Sequence, residues 1–154
     1  MRLEQRQLIV IAALGSAALL LGAFAFQYLG GMAPCSLCVW QRWPHAVAVA
    51  CGVVALVALP RIMAGAGLLA ALTTAAIGGY HTGVERGWWE GPATCSSSSM
   101  SGLSSDELYD RIMSAPMVRC DEVAWQMLGL SMASWNMVAA LGLAAIWVMA
   151  LRAR

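Results

Sequence analysis

The sequence predicts an all-α membrane protein: one domain over residues 1–154, folded as a four-helix transmembrane bundle. Two observations carry that expectation. The chain is 60% hydrophobic and only 11% charged, against about 25% charged for an average soluble domain. Its apolar residues are also gathered into four long stretches rather than spread in amphipathic patterns. A soluble globule of 154 residues could not bury so much apolar surface, and a disordered chain would need the opposite composition. The net charge is +1, which leaves no basic footprint for a nucleic acid.

The first stretch, residues 8–28, is 21 residues without a formal charge, within the roughly 17–25 needed to cross a hydrocarbon core. It is too long for the 7–15-residue core of a cleaved leader, and no A-x-A site follows it. The second stretch is strictly apolar only over residues 46–59. Extended back over 38–59 it is a full span, with Arg42 placed to snorkel at one interface. Residues 63–80 and 130–151 complete the set. Abundant Ala and Gly in these segments suits close helix approach.

Arginine placement orients the bundle. Arg2, Arg6, Arg61, Arg152 and Arg154 flank one side with a single acid, Glu4. Arg42, Arg86, Arg111 and Arg119 lie on the other with seven acids. Arginine excess marks the cytoplasmic face. Both termini are therefore expected inside, with the Cys35 segment and a long 82–129 loop outside, in the periplasm of a bacterium. Trp40, Trp43, Trp88, Trp89 and Trp125 fall on that outer side as an aromatic belt. Within the loop, Ser96–Ser99 reads as a flexible strap and 104–113 as a short surface helix opened by a capping box.

Four of the five cysteines lie on the outer side, where disulfides form and persist. Cys35 and Cys38 make a C-x-x-C, the spacing of a small reactive disulfide ring. A zinc centre needs four nitrogen or sulfur ligands, and Cys95 and Cys120 have no histidine near them in sequence, so no metal is expected. Cys95 and Cys120 stand 25 positions apart. A bond between them is either a staple worth roughly 3–4 kcal/mol or an exposed disulfide open to a foreign thiolate. Their setting beside Gly91, Pro92 and the serine run favours the exposed, exchanging reading. Cys51, inside the second span, reads as a small buried apolar residue.

Arg42 follows Cys38 by four residues, one helical turn, where its guanidinium would stabilise a thiolate on Cys38 or negative charge on a reduced acceptor. The competing role is a lipid-phosphate anchor. Pro44 belongs in the first turn of its helix or kinks it. His81 ends the third span on the outer side, with Glu85 four residues on. His45 carries a weaker signal, and the ten methionines are dispersed as filler.

These residues together resemble the disulfide-bond formation protein B (DsbB) family, quinone-linked thiol oxidases of the bacterial inner membrane. The resemblance rests on Pro34-Cys35-Ser36-Leu37-Cys38-Val39-Trp40-Gln41-Arg42, His81-Thr82-Gly83-Val84-Glu85, Gly91-Pro92-Ala93-Thr94-Cys95 and Cys120-Asp121-Glu122, followed by Leu128-Gly129-Leu130-Ser131. It implies that a reduced periplasmic thioredoxin-like oxidase (DsbA) attacks the Cys95–Cys120 disulfide at Cys95. Electrons would pass to Cys35–Cys38 and leave from Cys38, beside Arg42, to ubiquinone or menaquinone. His81 is implied as a second quinone neighbour. The family's most studied member has an acid where this chain has Gln41, so a proton-handling role there does not carry over.

Two other readings compete. A vitamin K epoxide reductase-type thiol oxidoreductase would carry its C-x-x-C near the last span, unlike Cys35. A structural tetraspan would use Cys95–Cys120 as a staple alone. Electron export needs a cysteine pair reachable from inside, which Cys51 by itself does not form. For an oxidase, Cys51→Ala should leave quinone-dependent thiol oxidation within about twofold, because a buried bystander thiol contributes packing only. A stopped-flow assay of the purified variant measures this, and a tenfold loss in a folded protein would make Cys51 a reactant.

Overall fold

A computed structural model describes residues 3–92, 95, 104, 106, 109, 113 and 118–153. Four long helices account for most of them: α1 (Leu3–Tyr28), α2 (Ser36–Val57), α3 (Pro60–Glu85) and α4 (Met132–Arg152). Before α4 lie two short antiparallel strands, β1 (Gln126–Met127) and β2 (Leu130–Ser131). Leu128 and Gly129 turn between them with positive φ. Three helices, α1, α3 and α4, are long and apolar enough to cross a membrane. The first half of α2 is more polar, since it carries Gln41, Arg42 and His45. The molecule is a helical membrane bundle, in accord with the composition.

Each boundary has a local cause. Ser131 caps α4 by accepting the Ser134 N–H at 3.2 Å. Pro60 opens α3 at a position where its missing N–H costs nothing. Cys35 caps α2, its sulfur accepting the Cys38 N–H at 3.3 Å. Pro44 lies inside α2 rather than in its first turn. The surface helix expected over 104–113 falls largely outside the described residues. Asp106, Tyr109 and Met113, which are described, are helical and exposed. The serine strap at Ser96–Ser99 lies outside the described residues.

The helices alternate in direction, and α1 and α3 each pack against both α2 and α4. At the end holding the chain termini, the core is built from alanines around one large ring. Ile9, Ala12, Ala55, Ala64, Ala71, Ala144 and Ala150 are buried with Trp147. Gln5 Nε2 closes that end on the Ala150 carbonyl at 3.2 Å. Gly67 is the contact that lets α3 reach the indole: a Cβ there would lie 2.6 Å from Trp147 Cζ2. Cys35, Cys38, Cys95 and Cys120 gather at the opposite end. There the exposed Trp40, Trp43, Trp88 and Trp89 ring the bundle, and Trp125 packs on Phe26 with centroids 5.6 Å apart.

Gly67→Ala should therefore destabilise the bundle by about 1–3 kcal/mol, because a fully buried indole cannot retreat from an added methyl. Gly65→Ala, two residues away with nothing near its Cβ, should be neutral or stabilising by up to about 1 kcal/mol. Thermal unfolding in detergent separates the two, and equal midpoints would mean the Trp147 contact does not set the packing.

Candidate functional site

The end of the bundle away from the chain termini brings together side chains from α2, α3 and the loop after α3. Cys35, Leu37, Val84, Cys95 and Cys120 form one buried apolar cluster, with Cys38 and Val118 against it. Cys95 and Cys120 are joined in a disulfide with Cα atoms 4.9 Å apart, whereas Cys35, Cys38 and Cys51 are free. The Cys95 N–H bonds the Pro92 carbonyl at 2.7 Å, and the Cys120 N–H bonds the Cys95 carbonyl at 3.1 Å. Gly91 permits the approach: a Cβ there would lie 3.1 Å from Val84 and 3.3 Å from the Cys95 Cβ.

This corrects one expectation. The Cys95–Cys120 disulfide is not exposed; both residues are 0% accessible. The loop lays the disulfide on the N-terminus of α2, where Ser36 Oγ stands 2.9 Å from Cys95 Sγ and 3.7 Å from Cys120 Sγ. A disulfide sulfur cannot donate, so Ser36 donates to it. An apolar disulfide gains by burial, and Leu37 and Val84 supply the surface.

The inner pair is arranged differently. Cys35 and Cys38 sulfurs are 2.9 Å apart and share a hydrogen bond. His81 Nε2 lies 3.7 Å from Cys35 Sγ and 3.8 Å from Glu85 Oε1. The Cys35 thiol is pulled down to about 4, first by the hydrogen bond from Cys38, then by His81 and the Cys38 N–H, against opposition from burial. Its place at the helix N-terminus acts in the same direction. The cap, the partner thiol and His81 all converge on the Cys35 sulfur, so these contacts favour charge there in the reduced pair.

Arg42 turns toward α1. Its Nη1 donates to Gln27 Oε1, its Nη2 to the Ala23 carbonyl at 3.4 Å, and its Cζ lies 5.0 Å from the Phe24 ring centroid. The guanidinium borders a groove of about 280 Å³ between α1 and α2, lined also by Leu20, Phe24, Val39, Trp43 and Ala46. Arg42 Nε is buried without a hydrogen-bond partner among the described residues.

Cys35 Sγ, Cys38 Sγ and His81 Nε2 lie within 4.8 Å of one another. They do not have the spacing of a zinc site. Thiolates bound at about 2.3 Å to a tetrahedral zinc stand roughly 3.8 Å apart, whereas these sulfurs are 2.9 Å apart. Sequence reasoning missed the polar side chains behind His81. Gln41, Thr74 and Asn136 bond one another and His45 in the bundle interior. The available signal was an amide at Asn136 inside an otherwise apolar span, where a polar group needs a protein partner.

Comparison with known proteins places these residues in a wider set. The family described as "Disulfide bond formation protein DsbB" matches residues 5–150. "Disulfide bond formation protein B" of Stutzerimonas stutzeri is 34% identical over 92% of this chain and 91% of its own length. The protein of that name from Polaromonas naphthalenivorans is 29% identical over 97% and 93% respectively. An uncharacterized protein of Rickettsia prowazekii, RP370, is 30% identical over 75% of this chain and 70% of its own length.

The Cys35 assignment has a sharp pH signature. Thiolate absorbance of the reduced protein should persist as pH falls and disappear only near pH 4, where protonation removes whatever stability the charged sulfur contributes. Cys38→Ala deletes the largest cause and should move that midpoint up by more than about one unit. An unchanged midpoint would remove Cys38 as the source.

Proposed function

The chain belongs to the DsbB disulfide bond formation family, a disulfide oxidoreductase, and on that premise we propose that it reoxidises a soluble thioredoxin-like oxidase (DsbA). Electrons enter at Cys95–Cys120, move to Cys35–Cys38 and leave to membrane quinone. We place the chain as one domain in the bacterial inner membrane, termini in the cytoplasm and the 82–129 loop in the periplasm. The arginine asymmetry supports that orientation.

The observation that carries the proposal is the meeting of both cysteine pairs in one buried cluster. The donor's thiolate attacks Cys95 Sγ, a mixed disulfide forms, and Cys120 leaves as a thiolate. The donor's second thiol resolves the mixed disulfide, so the donor departs oxidised and two electrons and two protons rest on Cys95 and Cys120. One outer thiolate then attacks the Cys35–Cys38 disulfide and the second completes the exchange. The outer disulfide is restored and the inner pair is a dithiol. A bonded outer pair beside a free inner pair matches that stage of the relay. Because the outer disulfide is buried, the loop must lift from α2 for the donor to reach it.

The groove beside Arg42 suits a quinone ring. It is apolar, it has aromatic faces from Phe24 and Trp43, and the unpartnered Arg42 Nε is a donor of the kind a ring carbonyl accepts. Leu20, Val39 and Ala46 would hold the ring, and His81 serves Cys35 rather than the groove. When bound, a quinone supplies an acceptor for two electrons and two protons. Arg42, buttressed by Gln27 and Phe24, orients the ring and favours negative charge on it.

A second reading has one observation in its favour: complete burial of Cys95–Cys120 is what a structural staple would show. Quinone reduction by purified protein, driven by a reduced thioredoxin-like donor, separates the two. Cys95→Ala should abolish donor-driven turnover while a small dithiol still drives quinone reduction through Cys35–Cys38. Donor-driven turnover at the normal rate, with only thermal stability lowered, would establish the staple and refute the relay.

A further inference from the structure

Behind Cys35 a line of hydrogen bonds runs into the bundle, and its polarity can be assigned. Two backbone carbonyls of α2 settle it. Gln41 Nε2 lies 3.3 Å from the Leu37 carbonyl and 2.9 Å from His81 Nδ1. A carbonyl oxygen only accepts, so the amide nitrogen, not the amide oxygen, must occupy that place. Gln41 therefore donates to His81 Nδ1, which must be bare.

The next link is equally constrained. Thr74 Oγ1 gives its one hydrogen to the Gln41 carbonyl at 3.0 Å. It can then only accept from Asn136, whose Nδ2 stands 3.2 Å away. The same nitrogen donates to Gln41 Oε1 at 2.7 Å, so the Asn136 oxygen faces His45 Nε2, at 2.9 Å. Every donor in the line, from His45 through Asn136 and Gln41 to His81, points toward Cys35. Gln41, His45, His81 and Thr74 are buried, so water does not compete for these bonds.

We propose that Asn136 and Gln41 are positioning residues which lock His81 as the Nε2–H tautomer and so aim one N–H at the Cys35 sulfur. Neither touches the reacting sulfurs. Asn136, oriented by Thr74 and His45, fixes which end of the Gln41 amide meets the imidazole. Gln41 then fixes which ring nitrogen carries the proton. A bare Nε2 would present a lone pair to the Cys35 thiolate and repel it. The other groups facing this sulfur are Cys38 on α2 and Glu85 on α3. Glu85 competes for the same N–H at 3.8 Å and is itself flanked by Ser131 and Arg86. Arg42 lies one turn beyond Cys38 but is engaged by α1. The proposal rests on the reading of Cys35 as a redox thiol.

The chain has two histidines, so ring-¹⁵N-histidine labelling gives two resolvable imidazoles in the full-length protein in detergent. In the reduced wild type near neutral pH, both should show an unprotonated Nδ1 and a protonated Nε2. Asn136→Asp and Gln41→Glu replace a donor by an acceptor without changing shape. In the first, the Gln41 amide must turn its nitrogen toward the new carboxylate and its oxygen toward His81. In the second, a carboxylate faces the ring. Both should move a proton onto His81 Nδ1, visible as a large upfield shift of that nitrogen. In Asn136→Asp the proton affinity of the Cys35 thiolate should rise about tenfold, the loss of one hydrogen bond to a charged acceptor. A wild-type His81 protonated at Nδ1, or one that keeps a bare Nδ1 in both folded variants, would overturn the proposal. Absence of donor-driven quinone reduction in the wild-type protein, with its tautomers as described, would instead count against the redox reading, so the two failures are distinguishable.

Discussion

A polar side chain inside an apolar bundle must find its partner within the protein, and that requirement organises the cysteine-bearing half of this molecule. Neither lipid nor water can satisfy His45, Thr74, Asn136 or Gln41 once the helices close. They satisfy one another, across three helices, and the line they form ends at His81 and Cys35. The same bonds tie α2 to α3 and α4 at fixed heights. Thr82 and Ser134 extend the tie, with their hydroxyls 3.0 Å apart. Register and chemistry thus have one cause: a shifted helix would strand buried polar groups, each costing about 1–3 kcal/mol.

The inner half is built on the opposite principle. There the interface is mostly alanine and glycine around a single indole, and contact is by shape apart from the Gln5 bond to the Ala150 carbonyl. A bundle closed by small residues at one end and by hydrogen bonds at the other has its rigid packing and its reactive groups in separate places. Among the described residues, the loop is attached at the cysteine end by the Ser36 contact to the disulfide sulfurs, by packing of Cys95, Cys120 and Val118 on Leu37 and Val84, and by Trp125 on Phe26.

Much of this was legible in the sequence, because hydropathy and cysteine spacing are local properties. The apolar runs gave the helices and the C-x-x-C gave the reactive pair. What escaped depends on contacts between distant segments. Burial of Cys95 and Cys120 follows from docking on α2, about which Gly91, Pro92 and the serines say nothing. The i,i+4 spacing of Cys38 and Arg42 is real, yet it says nothing of the groups that gather on Cys35. Spacing does not show that Arg42 turns to Gln27, or that His81, 46 residues from Cys35, comes to the other sulfur. Asn136 was visible as a polar residue in a span, but only its partners on α2 and α3 reveal what it holds.

Placing the charge on Cys35 also bears on the direction of electron flow. A reduced pair whose thiolate is stabilised is a stronger oxidant as a disulfide, since the stabilisation belongs only to the reduced form. In the proposed relay, lowering the Cys35 thiol to about 4 would draw electrons from the Cys95–Cys120 pair to the Cys35–Cys38 pair. It also slows their return, because a thiolate of low basicity is a weaker nucleophile toward the Cys95–Cys120 disulfide. The same stabilisation makes the Cys35–Cys38 pair harder to empty, so the relay as proposed needs a strongly oxidising final acceptor. A lipid-soluble quinone, the acceptor proposed above, would meet that demand. The relay behind His81 would then set a compromise: enough charge on Cys35 to pull electrons inward, short of holding them there.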